Sequence, residues 1–219
     1  MQRDLQRPIT CLITSGETTS ATTDESDEFK AILSLVRSAV AARVTLVQLR
    51  EKDLNALSLY ELSSRAAVIA RGSRTRILVN DRADIARACG CDGVQLTTRS
   101  LDPTVVRRAF GEDFLIGVSA HTLAELRGAR DGGADFAVFG PVFDTPSKRA
   151  YGPPLGLEAL REAARALARF PLVAIGGIAE DNLREVLRAG AAGVAAIRFF
   201  ADEQNLSRVV RVVAEATSL

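Results

Sequence analysis

The sequence predicts a parallel (β/α)8 barrel, and two patterns carry that prediction. Eight short apolar runs recur along the 219 residues, each followed by enough chain for one helix. The stretches between them repeat their apolar residues at helical spacing, while the runs themselves are continuously apolar, as strands covered on both faces must be. The length lies slightly below the usual size of one such barrel, so a single domain over residues 1–219 is expected.

In chain order the runs are "ITCLIT", "VTLVQL", "RILVN", "GVQL", "FLIGVS", "DFAVFG", "PLVAIGG" and "GVAAIR". The first leads into "SGETTSATTDESDEF" (15–29), whose hydroxyls and acids suit a solvated loop before the first helix; a substrate lid is the alternative. Helical periodicity is clearest in "LEALREAARALARF", where Leu157, Leu160, Ala164 and Leu167 share one face and Arg and Glu the other. In "DNLREVLRAGA" an Asp/Asn cap opens the helix and a basic turn with glycine closes it.

Composition narrows the partners. With 47% apolar and 25% charged residues and a net charge of +1, nothing favours nucleic acid or a membrane surface, so a small-molecule partner is expected. No run reaches the ~20 apolar residues of a membrane span, and "MQRDLQRPIT" lacks a signal-peptide core; the expected location is the cytoplasm. The three cysteines show neither metal nor redox spacing, and Cys89 and Cys91 read as small apolar residues near a helix end.

In this fold chemistry gathers where the strands end, so those positions are the candidates. Gln48 and Arg50 project from one side of the second strand and Lys52 follows, a set suited to a phosphate ester unless Glu51 or Asp53 neutralises it. Asn80 and Asp81 leave the third strand, where they would hold a substrate donor or a divalent metal; helix capping by Asp81 and Asp84 is the alternative. Strand five ends in Ser119 and His121, the only histidine. The long loop after strand six carries Thr145, Ser147 and Lys148, which suit a diphosphate as well as a surface turn. Gly176 and Gly177 let backbone amides approach a phosphate, with Arg198 as an added charge, or form a tight turn.

The ordered set "QLREK", "NDRAD", "DGVQL", "GVSAH", "GADFAVFGPVFDTPSK", "PLGLEAL" and "AIGGI" resembles the thiamine phosphate synthase/TenI superfamily across nearly the whole chain. The resemblance implies one of two activities. A synthase joins a pyrimidine diphosphate to a thiazole phosphate with Mg²⁺; a TenI-type tautomerase shifts a proton on a carboxythiazole phosphate with a histidine and no cofactor. In the synthase it would put Gln48, Arg50, Lys52 and Asn80 around the pyrimidine diphosphate, with Asp81 as a Mg²⁺ ligand. Ser119, Thr145, Ser147 and Lys148 match the synthase's polar segments, and Gly177 its thiazole phosphate site.

One departure stands out: "QLTTRSL" puts Arg99 and Ser100 where synthases carry an acidic pair, and loss of a carboxylate weakens a Mg²⁺ site. The expectation is therefore the tautomerase. His121 would transfer the proton, Arg50 and Lys148 would stabilise charge, and Gly176, Gly177 and Arg198 would hold the phosphate. The synthase is the alternative, followed by a non-catalytic phosphate-binding regulator. A homo-oligomer stays open.

Overall fold

The computed structural model describes residues 5–145 and 153–217. Eight parallel strands close into a barrel in sequence order, each pairing with the next and β8 returning to β1. The strands are β1 (Ile9–Ile13), β2 (Leu46–Leu49), β3 (Arg76–Asn80), β4 (Gly93–Leu96), β5 (Leu115–Ala120), β6 (Phe136–Phe139), β7 (Leu172–Ile175) and β8 (Gly193–Ala196). Between and after them run α1 (Asp27–Ala41), α2 (Ala56–Ala70), α3 (Ala83–Ala88), α4 (Pro103–Phe110), α5 (Leu123–Asp131), α6 (Gly156–Ala166), α7 (Leu183–Arg188) and α8 (Leu206–Glu215). The predicted fold class is the observed one. Among the described residues no helix is long and apolar enough to cross a membrane.

Alternation along each strand splits the core in two. Outward residues such as Val47, Leu49, Val79 and Val94 pack against helix stripes, for example Phe29, Ile32, Leu33 and Val36 of α1. In α6, Leu160 and Ala163 are the fully buried pair; Leu157 and Ala164 are only partly covered, a rotation of the expected face by one position.

Inward residues fill the barrel in layers of four from alternate strands. The register stacks Leu46, Gly93, Phe136 and Gly193, then Cys11, Leu78, Gly117 and Val173. The Phe136 ring fits inside the barrel because position 117 is glycine: a Cβ at Gly117 would lie 2.4 Å from that ring and 2.2 Å from Gln95 Oε1. Burial also pushes the inward Cys11 thiol up to about 12.

The floor of the barrel is fastened by one device used twice. Asp92, just before β4, accepts the Ile77 N–H of β3 at 2.8 Å and pairs with Arg76 at 3.2 Å. Asp135, just before β6, accepts the Ile116 N–H of β5 at 2.7 Å and pairs with Arg107 at 2.7 Å. Arg107 also donates to the carbonyls of Gly111, Phe114 and Gly133, so both charges are satisfied where they are buried.

Candidate active site

Toward the strands' carboxyl ends the inward layers turn polar. Gln48 and Gln95 share one layer with Val138 and Ala195; Asn80 and Ser119 stand in the next, with Ile13 and Ile175. Gln48 Nε2 donates to Asn80 Oδ1 at 3.0 Å and Gln95 Nε2 to Ser119 Oγ at 3.2 Å, so two amides from even strands reach two partners on odd ones. Three of these four were expected at the mouth. Gln95 was not, although "GVQL" repeats the "LVQL" that carries Gln48 and therefore points the same residue type inward. Gln95 is 1% exposed, and among the described residues its Oε1 has no hydrogen-bond partner. An orphaned buried acceptor is costly, and it gives the pocket floor a free polar atom.

Above this floor Arg50 is half-buried beside the β1–α1 loop, and Lys52 is exposed. The expected competitor for these cations, Glu51, turns away from solvent at 3% exposure and is held by the Thr14 and Thr18 hydroxyls and the Gly16 N–H. That loop is largely exposed and leads into α1, as its composition suggested, but it is pinned to the barrel at a few residues. Thr14, Thr18 and Thr22 are buried, Ser58 of α2 donates to the Thr22 carbonyl at 3.1 Å, and Arg65 pairs with Asp24 at 2.6 Å.

Strand β3 ends abruptly because Asp81 takes a left-handed conformation, φ 62°, with its N–H on the Gln95 carbonyl at 2.9 Å. Aspartate tolerates this region better than most residues. Asp81 does not cap α3, and its exposed carboxylate accepts no hydrogen bond among the described residues. Asp84 instead binds Arg82 through both oxygens, at 2.9 and 2.6 Å, and that guanidinium holds its carboxyl below the usual range.

His121 stands exposed at the rim after β5. Its ring Nδ1 meets the Gly140 carbonyl, which can only accept, so Nδ1 is the donor in that contact. The backbone is fixed as well. Thr122 and Glu125 form a capping box on α5, and Glu125 also accepts the His121 N–H at 2.6 Å. The T-x-x-E signature at Thr122 and Glu125 is the sequence signal for this box.

The first part of the β6–α6 loop, residues 141–144, crosses the end of β7 as a strap. Val142 N–H donates to the Ile175 carbonyl at 2.8 Å and Phe143 N–H to the Gly176 carbonyl at 3.0 Å. Both glycines take left-handed φ, and a Cβ at Gly176 would sit 2.5 Å from Pro141, one at Gly177 2.6 Å from Phe143. Thus both glycines have a packing cause, the strap's close approach. Asn182, expected as a helix cap, bridges the Ala179 N–H and the Gly177 carbonyl and so fixes this turn. Thr145 is half-buried at the strap's end and Arg198 is exposed on the 3-10 turn Arg198–Phe200 after β8; Ser147 and Lys148 lie outside the described residues.

The donor set bears on Mg²⁺. Among the described residues no three carboxylate, histidine or cysteine side chains converge as a metal cage. Ser100, at the position of the missing carboxylate, accepts the Thr97 N–H at 2.7 Å and meets the Thr97 hydroxyl at 3.0 Å. Mg²⁺ is commonly held by one or two carboxylates with substrate phosphate and water supplying the rest, and Asp81 fits that single-carboxylate role.

A closed (β/α)8 barrel with three amides and a hydroxyl bonded in pairs at the carboxyl end of its strands defines a class, the barrel enzymes of small-molecule metabolism. Within it, the chain belongs to the thiamine monophosphate synthase (TMP-TENI) family, which it matches over residues 20–200, and it is an enzyme of thiamine biosynthesis. It is 46% identical over 166 residues to a putative thiamine-phosphate synthase of Geobacter sulfurreducens, covering 76% of this chain and 78% of that protein. It is 40% identical over 186 residues to the thiamine-phosphate synthase of Moorella thermoacetica, covering 85% and 88%. Among solved structures, the thiamine phosphate pyrophosphorylase of Pyrococcus furiosus superposes with a TM-score of 0.80 at 28% identity over 98% of both chains. The two relatives carry the synthase name and the solved structure the pyrophosphorylase name, which favours the alternative of the two expected activities over the tautomerase.

Proposed function

We propose that this enzyme is a thiamine phosphate synthase that joins a hydroxymethylpyrimidine diphosphate to a thiazole phosphate. The observation that carries the reading is the 40% identity to a thiamine-phosphate synthase over most of both chains. In the reaction the bond from the pyrimidine methylene carbon to the diphosphate oxygen breaks, diphosphate leaves, and the thiazole nitrogen supplies the electron pair for the new C–N bond.

The floor amides Gln48 and Asn80 and the Ser119 hydroxyl would bind and orient the pyrimidine diphosphate. Arg50, Lys52 and Lys148 would offset its charge, and Thr145 and Ser147 would donate to its oxygens. Gly176, Gly177 and Arg198 would take the thiazole phosphate. Asp81 would hold Mg²⁺ with the diphosphate and water. When bound, that ion neutralises the departing diphosphate. The substrates are free small molecules, and a cytoplasmic setting and one barrel domain over residues 1–219 belong to the same proposal.

Two observations keep the tautomerase as the second reading: the exposed His121 ring at the rim, oriented by the Gly140 carbonyl, and Ser100 in place of a carboxylate. The deciding experiment incubates purified protein with pyrimidine diphosphate and thiazole phosphate, with and without Mg²⁺, and follows thiamine phosphate. Product that requires Mg²⁺ is expected. Protein that binds thiazole phosphate yet forms no product would instead be assayed on carboxythiazole phosphate, with His121→Ala as the inactive control.

A further inference from the structure

We infer that Glu51 is a positioning residue that fastens the β1–α1 loop to the end of β2 and thereby sets Arg50 for a polyanionic substrate. Burying a carboxylate to 3% exposure is expensive unless donors surround it, and here every donor comes from one loop. Glu51 Oε1 receives the Thr14 hydroxyl and, at 3.3 Å, the Gly16 N–H; Oε2 receives the Thr18 hydroxyl at 2.7 Å. Thr14 Oγ1 also accepts the Arg50 N–H at 2.8 Å, so one hydroxyl joins the backbone of Arg50 to the side chain of its neighbour.

The loop then lies directly on Arg50. Gly16, at φ 77°, passes so close that a Cβ there would stand 3.0 Å from the Arg50 carbonyl and 3.2 Å from its Nη1. The buried anion is satisfied by neutral hydroxyls and an amide, and no ion pair ties it to the Arg50 guanidinium. Among the described residues no ion pair engages the Arg50 guanidinium, while its backbone and one flank are fixed. Glu51 touches no substrate; it acts through Arg50 and the loop.

This rests on reading Arg50 as a diphosphate contact, and the test separates the two. Inorganic pyrophosphate with Mg²⁺ is titrated calorimetrically into wild type, Glu51→Gln, Glu51→Ala and Thr18→Val, alongside KM and kcat for both substrates and Glu-C cleavage after Glu17. Glu51→Ala should weaken pyrophosphate binding and raise the KM of the diphosphate substrate about tenfold, with the thiazole KM and kcat little changed. Cleavage after Glu17 should accelerate, and Glu51→Gln should recover most of both effects. A folded Glu51→Ala with wild-type pyrophosphate affinity, or with both KM values raised equally, overturns the proposal. Should Glu51→Ala not fold, Thr18→Val decides: it removes one donor, and unchanged affinity with unchanged cleavage is equally fatal. Glu51-dependent pyrophosphate binding without any thiamine phosphate would uphold the positioning role and refute the synthase; turnover indifferent to Glu51 would do the reverse.

Discussion

Replacing Gly177 by alanine tests the strap at the barrel mouth. Two costs add. The left-handed φ of 66° penalises any Cβ by about 1–2 kcal/mol. The new carbon would also fall 2.6 Å from Phe143 Cβ and 2.9 Å from the Asp144 carbonyl, atoms that move only if the strap moves. Overpacking of this kind costs about 1–3 kcal/mol, so the sum is about 2–5 kcal/mol. For a chain of this size that lowers Tm by roughly 4–20 °C. Gly72→Ala is the matched control, since Gly72 has φ 78° but nothing within 4 Å of its built Cβ, and it should show the backbone cost alone. Thermal and urea unfolding followed by circular dichroism gives both values. The displaced strap should also raise the KM of a phosphate substrate in Gly177→Ala and not in Gly72→Ala. Equal destabilisation by the two variants would refute the steric account.

Asp81→Asn keeps a residue type that accepts left-handed φ, so Tm should hold, while the Mg²⁺ concentration giving half-maximal synthase activity should rise about tenfold or more in a metal titration. Asp135→Ala strands the buried Arg107 and the Ile116 N–H and should cost about 3–5 kcal/mol in urea unfolding; a loss below about 1 kcal/mol would show the pair to be dispensable. Cys11 links stability to alkaline pH. Its thiol is raised from the ordinary 9.0 to about 12, so the unfolded chain loses that proton first; its contribution is intact below pH 9 and declines as pH climbs toward 12. The slope is about 1.4 kcal/mol per pH unit, and Cys11→Ala should flatten that part of the stability profile.

The barrel was legible because each strand is a short apolar run with both faces covered, and the observed bounds fall within one or two residues of the runs. "RILVN" and "GVQL" coincide with β3 and β4. The site was legible in outline because period-two alternation alone points Gln48, Asn80 and Ser119 inward. What escaped were contacts between segments distant in sequence. Glu51 read as a counter-ion for its neighbours, whereas its partners come from the loop after β1. The paired glycines suggested a phosphate, but their tight packing comes from a strap that reaches them from β6. Nothing local to "GGI" encodes that crossing.

The two floor aspartates have a consequence for how the barrel opens. Each takes an amide proton of one strand onto the chain leading into the next, so the β3–β4 and β5–β6 seams are sewn at the end opposite the mouth. The amides of Ile77 and Ile116 can then exchange with solvent only when those seams part, whereas amides of the mouth loops exchange through local opening. In hydrogen-exchange mass spectrometry the floor should therefore report global unfolding, and a ligand should slow exchange at the rim before it slows the floor.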